Sequence, residues 1–255
     1  MPDSERTASD MTDEGFFGER GAEMYDQSTG EEFEPGVIEA TVDFLAGLAG
    51  SGRALELGIG TGRIAQPLSQ RGVAVHGIDL SQPMVDQLRA KPGGETIGVT
   101  IGDFSTTRVE GSFALAYLVF NTIENLVNQE AQVACFQNAA AHLEPGGRFV
   151  IECAIPDLRR LSPGERTVVF DFSDEHWGID TYDVANQGLV SHHFSRVGQG
   201  FEHSAGPFRY VWPSELDLMA RIAGMRLAER WSGWRREPFT SESRKHISVW
   251  QKPSA

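Results

Sequence analysis

Basic residues are scarce in this chain. Its 255 residues include 22 Lys and Arg against 36 Asp and Glu, a formal net charge of -14. Phosphate contacts from Lys and Arg supply most of the affinity of a nucleic-acid binder, and an anionic membrane surface also attracts basic clusters. Neither is an expected partner. One late basic stretch, RWSGWRREPF (230–239), is short and mixed with tryptophan, and it reads as part of a late strand. Cysteine is nearly absent: Cys135 and Cys153 belong to no CxxC pair. The reading is two buried free thiols in a reducing compartment. No apolar run approaches the roughly 20 residues needed to span a bilayer. The start, MPDSERTASDMTDEGFF, lacks a basic region followed by an apolar one. No secretory signal is expected, the location is expected to be cytoplasmic, and residues 1–20 are expected to form a disordered acidic tail. No His, Asp or Glu cluster has helical ligand spacing, so no metal is expected. No repeat or low-complexity segment is visible.

What is present is a regular alternation. Residues 34–48 carry a helical apolar stripe, and Arg53 to Leu57 is a short buried strand ending at glycine. Helical spacing resumes over 61–70, and VAVHGID (73–79) is a second strand. Ser81 reads as an N-cap, followed by Pro83 and a helix to Ala90. Strands follow over 96–101, 113–120 and 148–154, the middle one nearly all apolar and therefore expected at the sheet centre. A helix over 129–143 precedes the last of them. This pattern predicts an α/β fold with a doubly wound, mostly parallel sheet. The pattern then changes to short strand-like pieces between turns, TVVFDF, GLVSHHFS and FRYVW. They predict an inserted antiparallel β lobe over 157–210. The α/β domain resumes over 211–255, with a helix over 213–223 and two further strands, to complete what began at 21–156.

Between the first strand and helix stands LELGIGTG, with Gly58, Gly60 and Gly62 two residues apart. Missing side chains let backbone approach a ligand at a helix N-terminus. No Gly-Lys-Ser/Thr follows, which excludes a nucleotide-triphosphate loop. A dinucleotide loop needs a third small residue where Arg63 stands. Glu56, just before the loop, would repel a pyrophosphate and suits a ligand with an ammonium or sulfonium group.

E-L-G-I-G-T-G resembles the first motif of the class I S-adenosylmethionine (SAM) methyltransferases. The resemblance extends in order to Asp79 at the end of the second strand, to Gly102-Asp103-Phe104 after the third, and to the L-x-P-G-G turn before the fifth. It implies a seven-stranded sheet and SAM as cofactor, with S-adenosylhomocysteine (SAH) as product. Asp79 matches the family acid that accepts from both ribose hydroxyls, and Asp103 the acid near the adenine amino group. The implied cofactor shell also takes in Thr61, Arg63, Leu80, Met84, Phe104, Phe120 and Asn121. Tyr25, in an N-terminal segment similar to that of natural-product relatives, is the expected lid, and Arg20 a partner for the cofactor carboxylate.

The acceptor is expected to be the hydroxyl or amine of a small molecule, since the N/D-P-P-Y/F motif of nucleic-acid and protein relatives is missing after strand four. Aminosugar N-methyltransferases carry aromatic-Ser-Ser-Ile-Gly-His there. This chain has Glu124 at the glycine position and Asn125 at the histidine position. Base or pocket candidates are Asn125, His176 in a lobe loop, Glu152 in strand five, and either His192 or His193, whose side chains alternate across a strand. In-line methyl transfer is helped mainly by alignment and desolvation. An NAD-dependent oxidoreductase on the same sheet and a non-catalytic SAM-binding protein are the alternatives. A monomer or a homodimer is expected.

Overall fold

The computed structural model describes residues 17–27 and 30–254. Most of the expected acidic tail lies outside the described residues. Its last part does not: a helix, α1 (Glu19–Tyr25), begins inside it. The order continues α2 (Pro35–Ala49), β1 (Ala54–Leu57), α3 (Ala65–Gln70), β2 (Val75–Asp79), α4 (Gln82–Ala90), β3 (Gly98–Ile101), β4 (Phe113–Leu118), α5 (Gln129–His142) and β5 (Leu143–Ala154). Then come β6 (Thr167–Phe172), β7 (His176–Asp183), β8 (Gly188–Val197), β9 (Gly200–Arg209), α6 (Pro213–Ile222), β10 (Arg226–Trp231) and β11 (Lys245–Gln251).

Seven strands form one sheet in the order β10-β11-β5-β4-β1-β2-β3. Pairings from β5 through β3 are parallel, and β11 and β10 add antiparallel. The apolar β4 stands in the middle, as its composition requires. Both faces are covered. Phe136, Phe149 and Trp250 pack with α5 and α6 on one, and Phe44, Leu45, Ile247 and Trp234 pack with α2 on the other. The chain leaves β1 toward β2 and β3, then returns to β4 on the other side. This reversal opens a crevice at the carboxyl ends of β1 and β4, where such sheets bind ligands.

The lobe strands form a separate antiparallel sheet, β6-β7-β8-β9. Its sequence is less legible. β7 starts at His176, so this residue is in a strand and not in a loop. β9 runs over Gly200–Arg209 and stops before Tyr210, so most of FRYVW is connection. Similarly, only Arg230 and Trp231 of the basic stretch lie in β10. The rest turns through Arg236 at φ 63°, and Trp231 bridges back to Pro238.

Arg209 bolts the lobe to the core. It is 6% exposed and donates to Gln132 on α5, to Glu215 on α6 (2.7 Å) and to Gln187 at the start of the β8–β9 hairpin (3.2 Å). Cys135 and Cys153 are buried free thiols. No helix among the described residues is long and apolar enough to cross a membrane, and no group of three metal-ligating side chains occurs among them.

Candidate active site

The glycine loop is shaped by backbone conformation. Gly58, Gly60 and Gly62 have φ of 77°, 54° and 75°, the region that favours glycine. Each also has a tight neighbour. A Cβ on Gly58 would come within 2.6 Å of Thr122 Cγ2, and one on Gly62 within 2.3 Å of Leu88 Cδ1. Gly58 therefore sits against the turn after β4, while Gly62 sits against α4. This chain's G-x-G-x-G spacing meets both contacts, and α3 starts only at Ala65, later than expected, because the loop continues through Gly62.

Asp79 is held at the crevice by two backbone donors. Gly60 N donates to Oδ2 (2.6 Å) and Ser81 N to Oδ1 (2.9 Å). Burial raises its pKa, and these donors oppose the rise. Ser81 caps α4 by accepting from Met84 N. Asp103 is fixed in the same manner, its Oδ1 accepting from Ser105 N at 2.7 Å.

After β4 the chain enters the left-handed region at Phe120 (φ 54°) and Asn121 (φ 57°). Two consecutive non-glycine residues there need external support. Glu152 supplies it: Phe120 N donates to its Oε2 (3.1 Å), Asn121 N donates to its carbonyl (3.2 Å), and Ala154 N donates to Asn121 Oδ1 (2.6 Å). Trp234 Nε1 and Lys245 Nζ engage the other carboxylate oxygen. Glu152 is a clamp for this turn.

A cavity of about 1100 Å³ joins these elements to the lobe. Its sheet end is walled by Gly58, Gly60, Asp79, Leu80, Met84, Asp103, Phe104, Phe120 and Asn121, with Tyr25 over them. Tyr25 packs edge-on against Phe33 (5.3 Å), and Phe33 against Phe120 (6.3 Å). Asp26 ties this cover to the loop by accepting from Thr61 Oγ1 (2.6 Å) and pairing with Lys91 (2.5 Å).

Six expected cofactor residues do not line the cavity. Arg63 lies over the rings of Phe33 and Phe120 and donates to Glu32 O. Thr61 engages Asp26, Gly62 abuts Leu88, and Gly102 backs onto Thr107. Arg20, rather than facing a cofactor carboxylate, is paired with Glu202 on β9 because both are exposed there. Glu56 stands behind the wall, 2% exposed, accepting from Tyr117 Oη at 2.9 Å. Burial pushes its pKa up to about 8.

The lobe end is walled by Glu124, Asn125, Asp180, Tyr182, Ser191 and His193. Alternation settles the histidine pair: His193 faces the cavity, and His192 faces away, stacked on His203 (5.3 Å). His176 is behind the wall but touches it. Its Nε2 is 2.9 Å from His193 Nδ1, and its Nδ1 is 2.6 Å from Asp171 Oδ2. Burial, then the neighbouring histidines, push the His193 pKa down to about 4. Asp180 Oδ1 is buried and accepts no hydrogen bond among the described residues. Asp180, Asp171 and Phe33 were not legible as site residues. The bulge between Val169 and Asp171 brings Asp171 to His176, and register on β7 and β8 places Asp180 beside Ser191; no local motif marks either neighbour.

The family described as "Methyltransferase domain" matches residues 54–147. The CcbJ methyltransferase of Streptomyces caelestis is 35% identical, with a TM-score of 0.83, covering 95% of this chain and 100% of that one. The cypemycin N-terminal methyltransferase of a Streptomyces species is 27% identical over 246 residues, covering 95% of this chain and all of that protein. SAM-bound CalS10 of Micromonospora echinaspora, an amino pentose methyltransferase, shares the fold at 18% identity and a TM-score of 0.68, covering 91% of this chain and 96% of that one. A doubly wound sheet, a glycine loop facing a fixed acid, and a full-length relative at this identity meet in one conclusion: the chain belongs to the class I SAM-dependent methyltransferases, and its cofactor is SAM.

Proposed function

We propose that this enzyme methylates an amine of a small natural-product-like molecule held between the sheet and the lobe. The observation that carries the reading is an unmet hydrogen-bond acceptor at the lobe end. Asp180 presents a buried carboxylate oxygen with no hydrogen-bond donor among the described residues, on a wall shared with Glu124. A carboxylate in such a place favours an N–H-rich cation over a neutral hydroxyl. Arg159, on the same wall, donates to the carbonyl of Ser241; Arg160 donates to the carbonyl of Val169 and, with Ser191, also acts on Asp180. The relatives named for an N-terminal amine and an amino pentose support the same choice.

At the sheet end the chain's residues fit SAM. Asp79, aimed by Gly60 and Ser81, is proposed to accept from the ribose hydroxyls. Leu80, Met84 and Phe104 offer apolar contact for a flat base beside Asp103, and Gly58 and Gly60 leave backbone uncovered. When bound, SAM supplies an activated methyl on sulfonium. The protein's task is then to hold the acceptor nitrogen in line and to exclude water. Tyr25, Phe33 and Phe120 form the cover. Asn125 and His193, backed by His176 and Asp171, are proposed to line the acceptor pocket, whereas His192 has no place in it. A His193 imidazole held neutral suits hydrogen bonding to an acceptor more than extracting a proton from a hydroxyl.

The test is incubation with methyl-deuterated SAM and matched pairs of amines and alcohols, read by mass spectrometry. Label on the nitrogen of an amine is expected. Label on oxygen alone would overturn the amine reading.

A further inference from the structure

Glu124 stands on the lobe-end wall of the cavity, in the turn that also touches the glycine loop. It lies in the single 3-10 turn Thr122–Asn125 that follows β4. The same turn presents Thr122 Cγ2 to Gly58, so Glu124 is fixed within one turn of the glycine loop. Its side chain lines the cavity and is 8% exposed. On the far side Cys153 Sγ donates to Oε1 across 3.5 Å. No other side chain hydrogen-bonds this carboxyl among the described residues. One oxygen is thus anchored to β5, on a residue that lines the cavity near Asp180.

We propose that Glu124 is the general base that takes the proton from the acceptor's ammonium group, an inference that rests on the amine reading above. An amine arriving as R–NH3+ has no lone pair to offer. Glu124 as carboxylate accepts one N–H proton and becomes the neutral acid. The electron pair left on nitrogen forms the new C–N bond while the C–S bond breaks and its pair stays on sulfur. The proton leaves Glu124 for water as product departs. No oxidant or metal is needed.

The surroundings suit the task. Burial, and after it the charge of Asp180, lift the Glu124 pKa to about 8, so that its carboxylate form is a minor fraction at neutral pH and grows as pH rises toward 8. The Cys153 hydrogen bond opposes the lift, and its own thiol is held protonated by burial and by Glu124, so it remains a donor. Tyr182 on β7 is raised by burial first and faces the same two acids, while Glu152 lies behind Cys153 and Arg160 faces Asp180. Around Glu124, burial lifts the Cys153 and Tyr182 pKa values and that of Asp180, and pushes that of His193 down to about 4.

The test compares wild type with Glu124→Gln and Glu124→Asp, using the full chain and an amine of known pKa. Pre-steady-state methyl transfer is followed across pH, with SAH binding by calorimetry as a control for folding. Glutamine is an isostere of the protonated acid, so SAH affinity should be unchanged. Wild-type kcat should level off near pH 8. The Glu124→Gln rate should fall about 10²–10³-fold at neutral pH and keep climbing tenfold per pH unit up to the amine's own pKa. Glu124→Asp should restore part of the plateau. Parallel profiles, lowered equally at every pH or not at all, would overturn the role of Glu124 while leaving amine methylation intact. Wild type that methylates no amine would instead remove the reading on which this inference rests.

Discussion

At the sheet end of the cavity Asp79 receives two backbone N–H donors, and at the lobe end Asp180 keeps a buried oxygen that receives none. The first carboxylate is finished before any ligand arrives. Its donors come from residues 60 and 81, which the strand ends themselves set in place. The second is left for a ligand to complete, and its neighbours come from strands of another sheet. In the proposed reading the sheet end takes SAM and the lobe end takes the acceptor. The proposed function divides along the same line: SAM on the sheet, acceptor specificity in the lobe.

The comparison breaks most visibly where the two regions are joined. Arg209→Ala leaves the fully buried Gln132 and the mostly buried Glu215 without their cation, and breaking a buried pair from one side costs about 3–5 kcal/mol. Chemical denaturation should show that loss. The lobe should also loosen before the sheet, seen as hydrogen exchange rising in β6 to β9 while β1 and β4 stay protected. Equal loss of protection in both sheets would show that they form a single cooperative unit.

The same division explains what the sequence revealed. Glycine at positive φ, an N-cap serine, an acid at a strand end and an apolar central strand are local demands, and each leaves a fixed residue at a fixed place. Thus Gly58, Gly60, Asp79, Ser81 and β4 were all legible, and so was the sheet. The lobe's polar wall is a matter of pairing register. Asp171 meets His176 only through a bulge, and His176 meets His193 only diagonally across β7 and β8. No short-range pattern encodes such neighbours. Alternation did separate His192 from His193 but could not say which faced inward. The partners of Arg20, Thr61 and Arg63 were not legible for a related reason: motif position fixes the backbone, whereas their side chains answer to Glu202, Asp26 and the Phe33 and Phe120 rings.

A smaller effect sharpens the account of the sheet end. Glu56 has a pKa of about 8 when folded, against the ordinary carboxylate range when unfolded. The native state therefore binds the extra proton, and stability without ligand should fall as pH rises from about 5 to the folded pKa, then level off. Glu124 adds a fall of the same sign. Glu56→Gln should flatten its share of that slope in urea titrations at several pH values. A slope identical to wild type would mean that Glu56 is ionised in the folded protein.

The division of labour is tested most directly by calorimetric titration of SAH into wild type, Asp79→Ala and Asp180→Asn. Loss of the proposed ribose hydrogen bonds should weaken SAH binding to Asp79→Ala by about 1–3 kcal/mol, roughly ten- to a hundredfold. Asp180→Asn should bind SAH as wild type does and be impaired only toward the acceptor. Undiminished SAH affinity in Asp79→Ala, or a comparable loss in Asp180→Asn, would contradict the assignment of cofactor to the sheet and acceptor to the lobe.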